Sequence, residues 1–259
     1  MQQTALAGSA TPVVRRIGFD DLKFALVQGI RDFLACPLFG LVIAGLFVAG
    51  GMAIWLLLYM ENTAWLILPI AVTFPLIGPF VVVGLYEVSH ELENGERPTW
   101  AGVFDRIIRQ KDRQIPSIAF VMIFFAGIWF FLAHLVFALF MGLSAMTNIS
   151  SSPEVLLTTQ GLTMLAVGTV VGGMLALLLF SLTVVSLPLL VDREIDFVTG
   201  MITSVQAVAR NFPVMLVWAA LIGVLTLLAM IPMFLGLLVV LPVFGHATWH
   251  LYRRVLEPE

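Results

Sequence analysis

A chain of 259 residues with 60% hydrophobic and 11% charged residues, and a mean hydropathy of +1.04, is too apolar for a soluble domain, where about a quarter of residues are charged. Composition therefore selects an integral membrane protein. A single cysteine, Cys36, excludes an internal disulfide and any paired-cysteine metal or redox motif, and its expected role is that of a small buried hydrophobe.

The opening stretch MQQTALAGSATPVVRRI (1–17) lacks a long apolar run and sets its small residues before the arginines, the wrong order for a cleavable signal; it is expected to be a disordered tail. The remainder, 18–256, reads as one domain. FDDLKFALVQGIRDFLACP (19–37) has Phe19, Leu22, Leu26, Ile30 and Phe33 spaced by three and four, the pattern of an amphipathic helix. An apolar run at 38–60 follows, carrying a ridge of small residues, Gly45, Ala49 and Ala53. After the short MENT turn comes a second run, 64–86, interrupted by Pro69, Pro75, Gly78 and Pro79. It leaves the membrane at GLYEVSHELENGE, where Tyr86, Glu87, His90, Glu91 and Glu93 cluster before the turn signal Asn94-Gly95.

WAGVFDRIIRQKDRQIP (100–116) is a second amphipathic segment, with Thr99 as its N-cap and Trp100, Val103, Phe104, Ile107 and Ile108 as its apolar stripe. Apolar runs at 116–140 and 160–187 come next, separated by a polar loop around TNISSSPE; the latter contains Gly168 and Gly172, a GxxxG spacing suited to close helix packing or to a homodimer seam. A third amphipathic segment, FVTGMITSVQAVARNFP (197–213), has Asp196 as its N-cap. The last two runs, 213–231 and 233–252, are joined by a tight turn at Ile231-Pro232.

The expected fold is therefore all-α, with six transmembrane helices: a bilayer core about 30 Å thick needs roughly 20 helical residues, whereas barrel strands are about 10 residues of alternating polarity. All 13 Lys and Arg residues fall before the first span, in the second and fourth loops, or after the sixth. The positive-inside rule then places both termini in the cytoplasm, and the net charge of -3 carries no weight against this because acidic residues count for little.

Each amphipathic segment carries arginine near its end, stops at proline and precedes an outward span. Proline disfavours helical geometry just before it, so the chain can turn there from the interface into the bilayer. The returning spans also share a plan, with proline in or near the inward half: FPLIGPFVVVGLYE, SLPLLVDRE and LPVFGHATWHLYRR. Three parallel repeats of interfacial helix plus two-helix hairpin are the expected organisation, one of the arrangements found in transporters.

GLYEVSHELENGE, PLLVDREIDFVTGMITSVQAVARNFPVMLVWAA and LPVFGHATWHLYRR together make residues 18–256 similar to a bacterial family of predicted integral membrane proteins, domain of unknown function 2189. That resemblance implies an inner-membrane location and supplies no catalytic residues. Some members carry a putative cytochrome c oxidase subunit I label. A haem-copper core uses six histidines on about twelve spans; this chain has four histidines and six expected spans, so the label fails on ligand count. An accessory role beside an oxidase needs no ligands and survives.

His246 and His250 lie four apart on one helical face, a spacing that can direct two imidazoles to one metal or haem, with His90 as a third candidate and His134 out of reach in the outer half of its span. The competing assignment is the aromatic and cationic layer of Trp249, Tyr252, Arg253 and Arg254 at the cytoplasmic interface, and it is the stronger: no cofactor and no metal is expected. Glu87 and His90 can share a proton or form a solvated helix end. Pro75, Gly78 and Pro79, with Glu87 below them, are the candidate pore or substrate lining, since a broken span frees carbonyls.

No Asp, Glu, Lys or Arg lies in the middle of any span, which weakens active transport. No phosphate loop, zinc-protease motif or nucleophile elbow is present, so no enzyme is indicated. The basic loop RIIRQKDR fits anionic lipid headgroups rather than nucleic acid, because its charge is modest and its apolar face is committed. The expected function is a non-enzymatic membrane component that supports other membrane proteins or handles a small or lipid-like molecule, with membrane lipids, another membrane complex or a second copy as partners. A channel or transporter, and a haem- or metal-binding redox protein, are the alternatives.

Overall fold

Helix accounts for all regular structure in the residues that the computed structural model describes, 12–60, 70, 73, 81–111, 115–142 and 153–258, apart from one isolated antiparallel bridge between Val14 and Leu256. The elements in chain order are α1 (Phe19–Ala35), α2 (Pro37–Met60), α3 (Val83–Glu93), α4 (Trp100–Lys111), α5 (Ile115–Met141), a 3₁₀ turn (Pro153–Leu157), α6 (Thr159–Thr183), α7 (Ser186–Asp192), α8 (Phe197–Arg210), α9 (Phe212–Met230) and α10 (Leu237–Val255). Among the described residues, four stretches are long and apolar enough to cross a membrane: Pro37–Met60, Pro116–Met141, Thr159–Asp192 and Phe212–Met230. Most of the run expected at 64–86 lies outside the described residues.

The two expected N-caps are in place. Asp196 Oδ1 accepts from the Thr199 amide at 2.9 Å and Thr99 Oγ1 from the Gly102 amide at 3.1 Å, each satisfying a donor that the first helical turn cannot. The Thr199 side chain, and after it the Thr199 amide, hold the Asp196 carboxyl below its usual range by hydrogen bonding.

The core is built from three short stretches that are buried nearly without interruption: 82–89, 184–191 and 241–249. They belong to α3, α7 and α10, which pack against one another. A break precedes or enters each, a turn at Val82, a turn at Val184 and Val185, and Pro242 inside α10. The amphipathic helices then dress this centre in order: α4 lies on α3, α8 on α6 and α7, and α1 on α10.

The stripe expected on α1 is buried only in part. Leu22 is buried with Ala25 and Gly29 and Leu26 packs against the core, while Phe19 and Ile30 stay exposed together with Phe24, Val27 and Leu34. A Cβ on Gly29 would meet Ala247 N at 2.5 Å and Val243 O at 2.6 Å, so two backbones touch there. In hydrocarbon, lipid tails are as apolar as Leu; close contact between small residues gains dispersion that lipid cannot replace, and the bulky residues are left to the apolar surroundings. α8 repeats the choice, with Gly200, Thr203, Ser204 and Ala207 buried and Val198, Ile202 and Val205 exposed.

Two boundaries also differ. The segment expected to be a disordered tail is tied down from Val13 onward: Arg15 N donates to Val255 O at 2.7 Å and Glu257 N to Val13 O at 3.0 Å, and Asn211 accepts from Ile17 N and donates to Arg15 O, both at 2.9 Å. These backbone groups are short of water against the helix ends and pair as a consequence. The last helix begins at Leu237 rather than at 233, because 231–236 form a turn in which Met233 and Phe234 take positive φ of 52° and 65°. Gly236 closes that turn against Ala229, where a Cβ would lie 2.7 Å from the Ala229 Cα.

Candidate functional site

α1, α3 and α10 converge at one end of the bundle, and their polar side chains join into a single chain of contacts. His250 Nε2 lies 2.7 Å from Asp32 Oδ2. Ser89 Oγ donates to the same carboxylate oxygen at 2.8 Å and lies 2.7 Å from His246 Nδ1. With the Ser89 proton committed to Asp32, His246 Nδ1–H donates to Ser89 Oγ, which leaves His246 Nε2 as a bare acceptor. That nitrogen is buried and has no partner among the described residues.

The two histidines of the GHATWH motif are thus linked through Asp32 and Ser89. Among the described residues no group of three or more His, Cys, Asp and Glu side chains could hold a metal. Ser89 is fully buried, so it offers no nucleophile to a substrate. What the arrangement can do is fix the α1–α3–α10 junction and carry polarity from the surface into the core, since a buried carboxylate and imidazole are stable only when hydrogen-bonded.

His90 does not join the network. Its Nδ1 is 4.0 Å from Glu87 Oε2, its Nε2 is 3.2 Å from Asn94, and its ring meets Trp249 edge-on at 5.4 Å. Glu87 is buried on the same helix. Beside it, Glu91 has a buried oxygen without a hydrogen-bond partner among the described residues, and burial, with Glu87 and Glu96 nearby, pushes its carboxyl up. His134 bonds its own helix at Phe130 O, 2.8 Å away. Pro75, Gly78 and Pro79 lie outside the described residues. The GxxxG pair splits: a Cβ on Gly172 would sit 2.8 Å from the Trp129 ring of α5, while Gly168 faces open space.

A second layer covers the network. Trp249 Nε1 donates to Glu93 Oε2 at 3.1 Å, Arg253 bridges Glu93 and Asp192 at 3.2 and 3.5 Å, and the Tyr252 hydroxyl donates to Asp192. Between this layer, α1 and the paired terminal segments opens a cleft of about 500 Å³ with Asp32 and His250 in its wall. Asp32 and Ser89 were not singled out from the sequence. The available signal was an acidic residue near the C-terminal end of α1, where the helix dipole disfavours it unless something compensates.

The match to the family described as predicted integral membrane protein (DUF2189) spans residues 67–192, which takes in α3 to α7 with Ser89, Glu87, His90 and Asp192. No curated protein and no solved structure matches the chain. Apolar helices and this match agree on the class: residues 67–192 are similar to the DUF2189 family of predicted integral membrane proteins.

Proposed function

We propose that the chain is a six-span protein of a bacterial inner membrane, built from three parallel units of amphipathic helix plus hairpin, with the described termini cytoplasmic. Connectivity supports the count. Asp32 before α2, Ser89 and Glu93 in α3, Asp192 at the end of α7, Asn211 before α9 and Arg253 in α10 are bonded to one another directly or through Arg15 and Val255. The residues that follow α2, α6 and α9 and precede the next unit thus meet at one end, which supports three hairpins, and the succession α4 on α3, α8 on α7, α1 on α10 fits the same cyclic rule.

Within that frame the protein is a non-enzymatic membrane component that holds a small or lipid-like molecule. The observation that carries this is the cleft of about 500 Å³ at the charged end of the bundle, walled by Asp32 and His250 and open at the surface. A volume of that size is in the range of ligand sites. The test is gentle extraction followed by native mass spectrometry and lipid extraction. A stoichiometric small molecule or lipid is expected; protein that emerges bare, together with unchanged membrane composition on deletion, overturns the assignment.

A further inference from the structure

We infer that this cleft takes the phosphate of an anionic phospholipid headgroup, a proposal that rests on the cleft's being a ligand site as read above. Four arginines, Arg15, Arg193, Arg253 and Arg254, face three carboxylates, Asp32, Glu93 and Glu257, along its lining. Counting Asp21 and Asp192, which pair with these arginines, the cations do not outnumber the carboxylates, so the placement of the charges matters rather than their number. Asp32 is taken up by His250 and Ser89, and Glu93 by Trp249 and Arg253. These two carboxylates thereby hold the wall.

Three of the guanidinium groups are already held. Arg253 is fixed by Glu93 and Asp192, Arg254 by Asp21 at 3.0 Å, and Arg193 by Asp192 at 3.8 Å and the Glu257 carbonyl at 2.8 Å. Each guanidinium carries five N–H donors and is oriented by these bonds, so an incoming phosphate meets groups whose ordering cost has been met by the fold. Arg15 is different: it is exposed and makes no ion pair among the described residues. Its backbone is pinned beside Val255, which sets an uncompensated charge at the cleft mouth.

A membrane source for the phosphate follows from α1. Phe24 lines the same cleft, with Arg254 4.5 Å over its ring, and it is 40% exposed. Val27, at 39%, and Leu34, at 69%, continue the exposed apolar surface of that helix. A headgroup among the arginines would thus have its acyl chains beside an apolar helix face, the arrangement of basic pockets between helices at a leaflet surface.

The experiment uses the full chain in detergent with short-chain phosphatidylglycerol, short-chain phosphatidylcholine and glycerol 3-phosphate, read by native mass spectrometry and calorimetry. Phosphatidylglycerol is expected to bind at least tenfold more tightly than the other two. Arg15→Gln is expected to weaken it about fivefold, the worth of one arginine near an anionic surface, while Arg97→Gln, on an exposed loop outside the cleft, leaves it unchanged. Equal binding of the two lipids overturns the anionic headgroup but leaves a lipid-holding cleft standing. Glycerol 3-phosphate binding as well as phosphatidylglycerol overturns the membrane source, an unchanged Arg15→Gln variant overturns the cleft as the site, and binding of none of the three removes the proposal and its premise together.

Discussion

Asp32 and His250, 218 positions apart in the chain, meet at 2.7 Å and tie the first amphipathic helix to the last. Both side chains are only 13% exposed, and the carboxylate also accepts from Ser89. Asp32→Asn puts an amide against two donors and is expected to cost about 2 kcal/mol, the scale of a hydrogen bond to a charged group. Thermal unfolding in detergent measures it. In a double-mutant cycle with His250→Gln the losses are expected to be less than additive, since both changes break one contact.

Gly29 supplies a steric test of the same junction. Because its Cβ would meet Ala247 and Val243 backbone atoms, which cannot swing aside, Gly29→Ala is expected to destabilise by about 1–3 kcal/mol despite the better helix propensity of Ala. Gly45→Ala, with nothing within 4 Å, serves as the control and is expected to keep or slightly raise the unfolding temperature.

The GxxxG motif of α6 divides in the same way. Gly172→Ala is expected to push against the Trp129 ring and lower stability, whereas Gly168→Ala meets open space. Tryptophan fluorescence of the Gly172→Ala protein reads the displacement of Trp129 directly; an unshifted spectrum with unchanged stability would remove the α5–α6 contact from the fold.

Glu91 makes stability depend on pH. Burial and neighbouring carboxylates raise its carboxyl above the ordinary glutamate value of 4.5, so the fold favours the protonated form. Its contribution is complete below that ordinary value and is lost as pH rises through the raised one. Glu91→Gln imitates the protonated state. It is expected to be more stable than the natural protein at pH 8 and indistinguishable from it near pH 4, measured by unfolding temperature across that range.

Topology can be checked with an impermeant thiol reagent after Cys36, the one cysteine, is replaced by Ala. Ile231→Cys, in the exposed α9–α10 turn, is expected to be labelled from outside intact cells. Arg97→Cys is expected to react only after the membrane is opened. The reverse pattern would invert the orientation, and reaction of both from outside would break the six-span count.

Helix type and several helix starts could be read from the chain, because Thr99, Asp196 and the apolar runs act locally. Which face an amphipathic helix buries could not. Counting apolar residues along α1 selects Phe19, Leu22, Leu26, Ile30 and Phe33, of which Leu22 is buried and Phe19 and Ile30 are not; the deciding contact is Gly29 against α10, and nothing near residue 29 announces a partner at 243–247. The histidine pair shows the same limit: the spacing of His246 and His250 was visible, while Ser89 and Asp32 lie 157 and 218 positions from their partners. A mixed Asp, Ser and His junction leaves no short signature.

Residues 13–17 are clasped by residues 211 and 255–257, and α1 rests chiefly on α10. Synthesis therefore releases the first helix long before its seat exists. Until Leu237–Val255 emerges, Gly29 and Asp32 have no counterpart, and α1 must wait at the bilayer surface on its exposed bulky face. A ribosome stalled short of α10 would leave a protease-sensitive amino-terminal arm on an otherwise inserted protein, and assembly would end as a latch closing rather than as successive helices locking in turn.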